Sequence, residues 1–176
     1  MKTLLIDLDK CVGCYACQVG CKDEHCEQSW MPYAEAQPET GQFWMRVDER
    51  ERGKRPHVKV TYIPTPCQHC ADAPCMKVAK DGAVYRREDG LVIIDPEKAK
   101  GQKAIKDACP YHAIYWNDVL NIPQKCTGCA HLIDEGDTIT HPRCSHNCVH
   151  GAISWREASA LDLADAARLH PEFGTS

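Results

Sequence analysis

The stretch CVGCYACQVGC, Cys11 to Cys21, limits what this chain can fold into more than any other. Its spacing is Cys-x2-Cys-x2-Cys-x3-Cys. Three thiolates on one tight loop (Cys11, Cys14 and Cys17) can hold three irons of a [4Fe–4S] cube. The fourth cysteine of such a run, here Cys21, ligates a different cluster in two-cluster ferredoxins. A second cysteine set elsewhere must therefore return a fourth ligand to the first.

Three further groups answer that requirement. The second is Cys67-x2-Cys70-x4-Cys75, with Ala79 where a fourth cysteine would fall. The third holds only Cys109, followed by Pro110. The fourth is Cys126-x2-Cys129, an insertion, then Cys144-x3-Cys148. Counting back from Cys109 by the ferredoxin spacing gives Ala99, Gln102 and Ile105, none of which binds iron well. Those three and Ala79 would be the four ligands of one cluster, and all four are absent together. Its neighbour's four, Cys67, Cys70, Cys75 and Cys109, all remain. Random loss would leave orphans, so one cluster site is read as cleanly lost. The outer groups then exchange ligands in the same way: Cys11, Cys14 and Cys17 with Cys148, and Cys126, Cys129 and Cys144 with Cys21. Of thirteen cysteines, twelve make three [4Fe–4S] clusters and Cys26 is left over.

The fold class this predicts is α+β, with two nested bacterial-ferredoxin-like dicluster modules related by pseudo-two-fold cysteine exchange. Residues 1–63 and 119–155 form the outer module, 64–118 the inner one, and 156–176 a C-terminal helix and tail. With 176 residues but only two Phe, clusters are expected to replace part of an ordinary apolar core. Lys2–Leu8 alternates as a strand that delivers Cys11. A helical segment is expected from about Cys17–Cys21 to Ser29, and a strand-like piece over Phe43–Asp48. The charged run Asp48–Arg55 reads as a solvated turn, and His57–Ile63 as a strand. Ala83–Arg86 and Leu91–Ile94 flank Glu88-Asp89-Gly90 as a hairpin. Asp95-Pro96-Glu97 starts a helix running toward Cys109. Ser154 and Glu157 are spaced as a capping box for a final helix to about Leu169.

Other chemistry weighs less. Four cysteines in two CxxC-like knuckles also suit structural zinc, but zinc has no use for the opening run. Disulfides fit the x2 spacings poorly. Cys26 reads as a small buried residue or an unreactive thiol. His25, His69, His131, His141, His146 and His150 read as neighbours of ligands or surface residues, since no pair replaces a missing cysteine. Lys10, Lys22, Lys77 and Lys125 lie within two positions of ligands, where their charge either raises cluster potentials or is simply solvated. Trp30, Trp44, Trp116 and Trp155 read as packing. The net charge of −4 argues against nucleic acid. The apolar run at the N-terminus is too short for a signal peptide, and no stretch approaches a membrane span, so no export signal or anchor is expected.

The motifs CVGCYACQVGC, PTPCQHCADAPC, GAVYRREDGLVIIDPEKAKG, ACPYHAIYW, QKCTGCAHL and PRCSHNC together cover about residues 1–155. They resemble the iron–sulfur (beta) subunits of the molybdopterin oxidoreductase superfamily, the dimethyl sulfoxide reductase type. With IDPEKAKG in place of a third cysteine run, the chain looks most like the small subunits of pyrogallol–phloroglucinol transhydroxylases and related anaerobic phenol hydroxylases. The chain departs from the ferredoxin pattern in having Lys22 and Val149, not Pro, after Cys21 and Cys148. The resemblance implies an electron-transfer subunit with no catalytic residues of its own. It also implies a large partner carrying molybdenum or tungsten bis-pterin, a phenolic substrate, and a cytoplasmic location, or export attached to a signal-bearing partner. The rival readings are a respiratory reductase subunit for a sulfur or nitrogen oxide, a free-standing polyferredoxin, and a zinc-stapled scaffold.

Overall fold

The computed structural model describes residues 2–136 and 139–159. In chain order the first elements are β1 (Lys2–Ile6), α1 (Ala16–His25), β2 (Arg46–Lys54), β3 (His57–Thr65), α2 (Pro74–Val78), β4 (Val84–Arg86) and β5 (Val92–Ile94). There follow α3 (Lys103–Asp107), β6 (Ile114–Asn117), β7 (Ile122–Lys125), α4 (Ala130–Glu135), α5 (Arg143–His146) and β8 (Ile153–Glu157). The mixture of short helices and strands agrees with the α+β expectation.

Among the described residues the strands form separate antiparallel pairs: β1 with β8, β2 with β3, β4 with β5, and β6 with β7. The first pair joins the first and last described strands, Leu4 opposite Trp155 and Ile6 opposite Ile153, and Asp7 N–H continues the ladder to the Ala152 carbonyl at 2.8 Å. Sheets this small cannot supply a core of their own. What they do is bring loops together: β1 leads into Cys11, β3 into Cys67 and β7 into Cys126, while β6 and β8 each begin five residues after Cys109 and Cys148.

Apolar side chains gather in three clusters. One packs Ala83, Val84, Val92, Ile94, Ala99, Ile105 and Ile114 around Cys75, with Cys70, Ala79 and Cys109 against it. A second packs Trp44, Met45 and Ile153 with Cys17, Cys21, Cys126 and Cys144. The third is small, Leu91, Ile93 and Ala130, with Tyr33 and Trp155 at its edge. Buried cysteines thus belong to two of the clusters, adding volume in a chain short of Phe.

Four local expectations change. The charged run Asp48–Arg55 is not a solvated turn; all but Arg55 of it lies in β2, which pairs with β3 through nine residues to Lys54 opposite His57. A ribbon exposed on both faces has no buried side to impose alternation, so strand and charged turn read alike in sequence. The strand-like piece at Phe43–Asp48 accordingly begins only at Arg46. The segment after Asp95 makes turns rather than a helix to Cys109. Asp95 Oδ1 does accept from the N–H groups of Glu97 (3.0 Å) and Lys98 (3.1 Å), but the left-handed Gly101 interrupts, and α3 starts at Lys103. Ser154 and Glu157 lie in β8 rather than at a helix start; Ser154 pairs with Leu5 and Glu157 with Lys2. Edge pairing with β1 overrides the capping-box pattern, and the rest of the expected helix, to Leu169, lies outside the described residues.

Candidate metal centres

The C-x-x-C loops opened by Cys11, Cys67 and Cys126 repeat one backbone device, while in Cys14–Cys17 the second residue, Tyr15, is left-handed at φ 59°. In those three the third residue is left-handed: Gly13 at φ 69°, His69 at 46° and Gly128 at 66°. In two of the loops that residue's N–H turns back onto the first sulfur, His69 N to Cys67 Sγ at 3.4 Å and Gly128 N to Cys126 Sγ at 3.3 Å. Glycine suits the left-handed conformation, and at Gly13 there is a second reason for it. A Cβ there would lie 2.4 Å from the Tyr62 ring of β3, which closes down on the first loop.

The first loop and the last cysteine meet. Cys11, Cys14, Cys17 and Cys148 line one pocket, walled by Val47, Pro64 and Ile153. Ile153 N–H donates to Cys148 Sγ at 3.3 Å as β8 begins. Burial, together with the charges of Cys11, Cys14 and Cys148, pushes the Cys17 thiol up to about 11.

The second set is Cys21, Cys126, Cys129 and Cys144, all buried. Cys21 lies within electrostatic reach of Cys126 and Cys129, and Cys144 of all three. Arg143 N–H points at Cys129 Sγ from 3.5 Å, and His25 Nε2 lies 3.7 Å from the same sulfur. Desolvation pushes Cys126 up to about 11 and Cys129 up to about 12.

The third set is Cys67, Cys70, Cys75 and Cys109; Cys70 and Cys75 lie within electrostatic reach of each other and of the other two. Ala113 N–H donates to Cys109 Sγ at 3.4 Å. The Arg86 guanidinium gathers the loop's outward carbonyls, those of Cys70 and Ala71 among them.

These arrangements fit iron–sulfur clusters. Each set offers four sulfurs, apolar walls and backbone N–H donors aimed at sulfur. Buried thiols whose protons are held this tightly become thiolates at neutral pH only against bound positive charge, which iron supplies. The positions that lack a cysteine are filled otherwise. Ala99 and Ile105 are fully buried in an apolar cluster against which Ala79 packs. Gln102 accepts from Lys80 N at 2.9 Å and donates to Lys98 O at 2.8 Å, tying those two backbone segments together.

The remaining candidates separate clearly. Cys26 joins none of the three sets; its backbone bridges to Gln37. His25 and His131 are buried and His69 is half-buried beside cysteines, and burial holds His25 down to about 3. His150 lines the first pocket, while His141 and His146 face each other at 5.4 Å. Trp44 packs on His25, and Trp30 stacks on His131 with centroids 4.2 Å apart. Lys10 and Lys77 are exposed and paired with Asp7 and Asp72. Lys22 reaches the carbonyls of Pro38 and Gly41. Lys125 alone of the four is buried.

Glu24 stands outside every motif in the sequence. Buried on the same face of α1 as Cys17 and Cys21, it binds His131 Nε2 at 2.9 Å and Arg143 Nε at 2.5 Å. It links α1, α4 and α5 behind the second set. The only trace in sequence is that Glu24 follows Cys17 and Cys21 at helical spacing.

A model of the 4Fe-4S dicluster domain matches residues 58–158. The chain is 52% identical over 180 residues to the pyrogallol hydroxytransferase small subunit of Pelobacter acidigallici, covering 98% of this chain and 65% of that protein. It is 35% identical over 175 residues to a putative dimethyl sulfoxide reductase iron–sulfur subunit of Halobacterium salinarum, covering 82% and 62%. It is 33% identical over 188 residues to a sulfite dehydrogenase subunit of Allochromatium vinosum, covering 98% and 78%. The chain thus spans just under two thirds of the length of the first two relatives.

Proposed function

We propose a function from one premise: the chain belongs to the 4Fe-4S dicluster family, among the iron–sulfur subunits of the dimethyl sulfoxide reductase type. It is an electron-transfer subunit with three [4Fe–4S] clusters. Their ligands are Cys11, Cys14, Cys17 and Cys148; Cys21, Cys126, Cys129 and Cys144; and Cys67, Cys70, Cys75 and Cys109. The two outer sets belong to a module of residues 1–63 and 119–155, the third to an inner module of 64–118, and the tail follows from 156. A fourth cluster site is lost, its ligand positions taken by Ala79, Ala99, Gln102 and Ile105.

The clusters would supply one-electron chemistry when bound; the chain's cysteines would hold them and its residues set their potentials. Backbone N–H groups of His69, Ala113, Gly128, Arg143 and Ile153 stabilise charge on the sulfurs they face. Apolar side chains wall the first pocket, and burial keeps water from the sulfurs of the second set.

The partner is a large catalytic subunit carrying molybdenum or tungsten bis-pterin and acting on a phenolic substrate, in the cytoplasm. What supports this is the 52% identity to a pyrogallol hydroxytransferase small subunit. The likeness to a sulfite dehydrogenase subunit favours a second reading, a complex acting on a sulfur oxide. Among the described residues no helix is long and apolar enough to cross a membrane.

The observation that carries the electron-transfer reading is the return of Cys148, from the far end of the chain, into the pocket of Cys11, Cys14 and Cys17. Metal analysis of the anaerobically purified complex tests it. About twelve irons per small chain beyond those of the partner, with molybdenum or tungsten and little zinc, is the expected result. Zinc in place of iron overturns it. Rapid turnover with a phenol separates the first reading from turnover with sulfite or a related oxide.

A further inference from the structure

Among the lysines next to cysteines, Lys125 is set apart by where its ammonium lies. The residue is 3% exposed, at the end of β7. Its Nζ donates to the carbonyl of Val92 in β5 and, at 3.0 Å, to the carbonyl of Cys126. No carboxylate pairs with it among the described residues. Glu24, the buried acid among the described residues, is already shared by His131 and Arg143.

A buried cation without a carboxylate is costly unless other negative charge compensates it. Here cluster-bound sulfur would supply that compensation from two sides. Cys70 and Cys75 of one set and Cys126 of the other lie within electrostatic reach of Lys125. Cys126 is in turn within reach of Cys67, so the two sets adjoin at this point. The connection is also covalent and hydrogen-bonded. Lys125 precedes Cys126 in the chain, and the Val92 whose carbonyl it binds donates its own N–H to His69 Nδ1 at 2.9 Å. His69 sits in the Cys67–Cys70 loop.

Resting on the three-cluster reading, we propose that Lys125 is the shared countercharge of two adjoining clusters, those of Cys67/Cys70/Cys75/Cys109 and Cys21/Cys126/Cys129/Cys144. Each cluster gains a negative charge on reduction. A fixed ammonium between them favours the reduced state of both and raises both potentials, with less effect on the cluster of Cys11, Cys14, Cys17 and Cys148. It lowers the cost of placing an electron on either side of the junction. Lys125 acts through the clusters and is a positioning residue, not a catalytic one.

The test is an EPR-monitored redox titration of the intact complex, wild type against Lys125→Met and Lys125→Arg. Wild-type spin quantification comes first: fewer than three cluster signals from this chain refutes the proposed function itself. With three present, Lys125→Met is expected to shift two midpoints downward. At the wild-type midpoint their reduced-to-oxidised ratio falls at least tenfold, a shift of ~59 mV for one electron. The third signal moves far less, and Lys125→Arg restores both. Unchanged potentials, a shift in one cluster only, or equal shifts in all three overturn the proposal. If Lys125→Met loses iron, retention of iron and both potentials in Lys125→Arg supports a need for charge. Loss in both variants makes Lys125 a packing residue and overturns it.

Discussion

At the scale of single residues, the arrangement turns on which cysteine serves which set. Cys21 stands four residues from Cys17, yet the structure directs it to Cys126, Cys129 and Cys144, because the two cysteines project from successive turns of α1 toward different neighbours. Cys21→Ser is therefore expected to abolish or convert the same EPR signal as Cys129→Ser. Cys148→Ser should affect the same signal as Cys14→Ser. Matching signals for Cys14→Ser and Cys21→Ser would refute the exchange. Gly13→Ala combines a left-handed backbone, costing about 1 kcal/mol for a residue with a Cβ, with a clash against Tyr62. Its expected effect is loss of about four irons per chain, read by iron analysis, with the other two signals retained.

At the scale of elements, the contrast lies between segments that hold ligands and segments that fill space. The α3 region packs Ile105 into the apolar cluster around Cys75. Ile105→Ala is expected to cost about 2–4 kcal/mol, typical of emptying a buried aliphatic site. Denaturant titration should show that loss while metal analysis shows unchanged iron, since no ligand is replaced. The β2–β3 ribbon should behave in the opposite way. Its distal half is exposed on both faces. Replacing Arg52–Lys59 with an Asn-Gly turn keeps the Glu51–Val60 pair and the Tyr62 that covers Gly13. All three EPR signals should survive; loss of the signal from the first loop would show that the ribbon's tip supports that site. The helical expectation after Asp95 failed because one residue, Gly101, ends the first turn before a second can form.

At the scale of the whole molecule, the apolar clusters around separate cysteine sets are joined by a small polar lock. Arg87 of the β4–β5 turn binds both carboxylate oxygens of Asp134 in α4 at 2.7 Å and lies over the Tyr33 ring, 5.0 Å from its centroid. Arg87 holds the Asp134 carboxyl down to about 2, from an ordinary 3.8. Because the folded state lowers this pKa, the pair's contribution is present above about pH 4 and is lost as pH falls toward 2. Asp134 is 39% exposed, so salt screens the pair and its worth stays near the surface range of about 0–1 kcal/mol. Asp134→Asn is expected to lower thermal stability slightly at low salt and pH 7, with the difference vanishing at high salt. Removal of iron should matter far more. Without compensating metal charge, buried thiols leave cysteine packing alone to hold the two larger apolar clusters together. Chelation under oxidising conditions is expected to abolish cooperative unfolding, followed by circular dichroism.

By itself the sequence determined the cysteine groups and the spacing that sorts them, because cluster ligation imposes a rule on one-dimensional distance. It determined the hairpin at Glu88-Asp89-Gly90 and the strand into Cys11 for a similar reason: turn and alternation signals are local. Tertiary structure decided what depends on burial. Four lysines stand beside cysteines in the chain, and only folding separates the exposed Lys10 and Lys77 from the buried Lys125. It also placed Glu24 between His131 and Arg143, residues more than a hundred positions away. A charged run in an exposed ribbon, a capping-box pattern drawn into an edge strand and a buried cation all look ordinary in sequence, because the environment that selects among conformations and charges is assembled from distant parts of the chain.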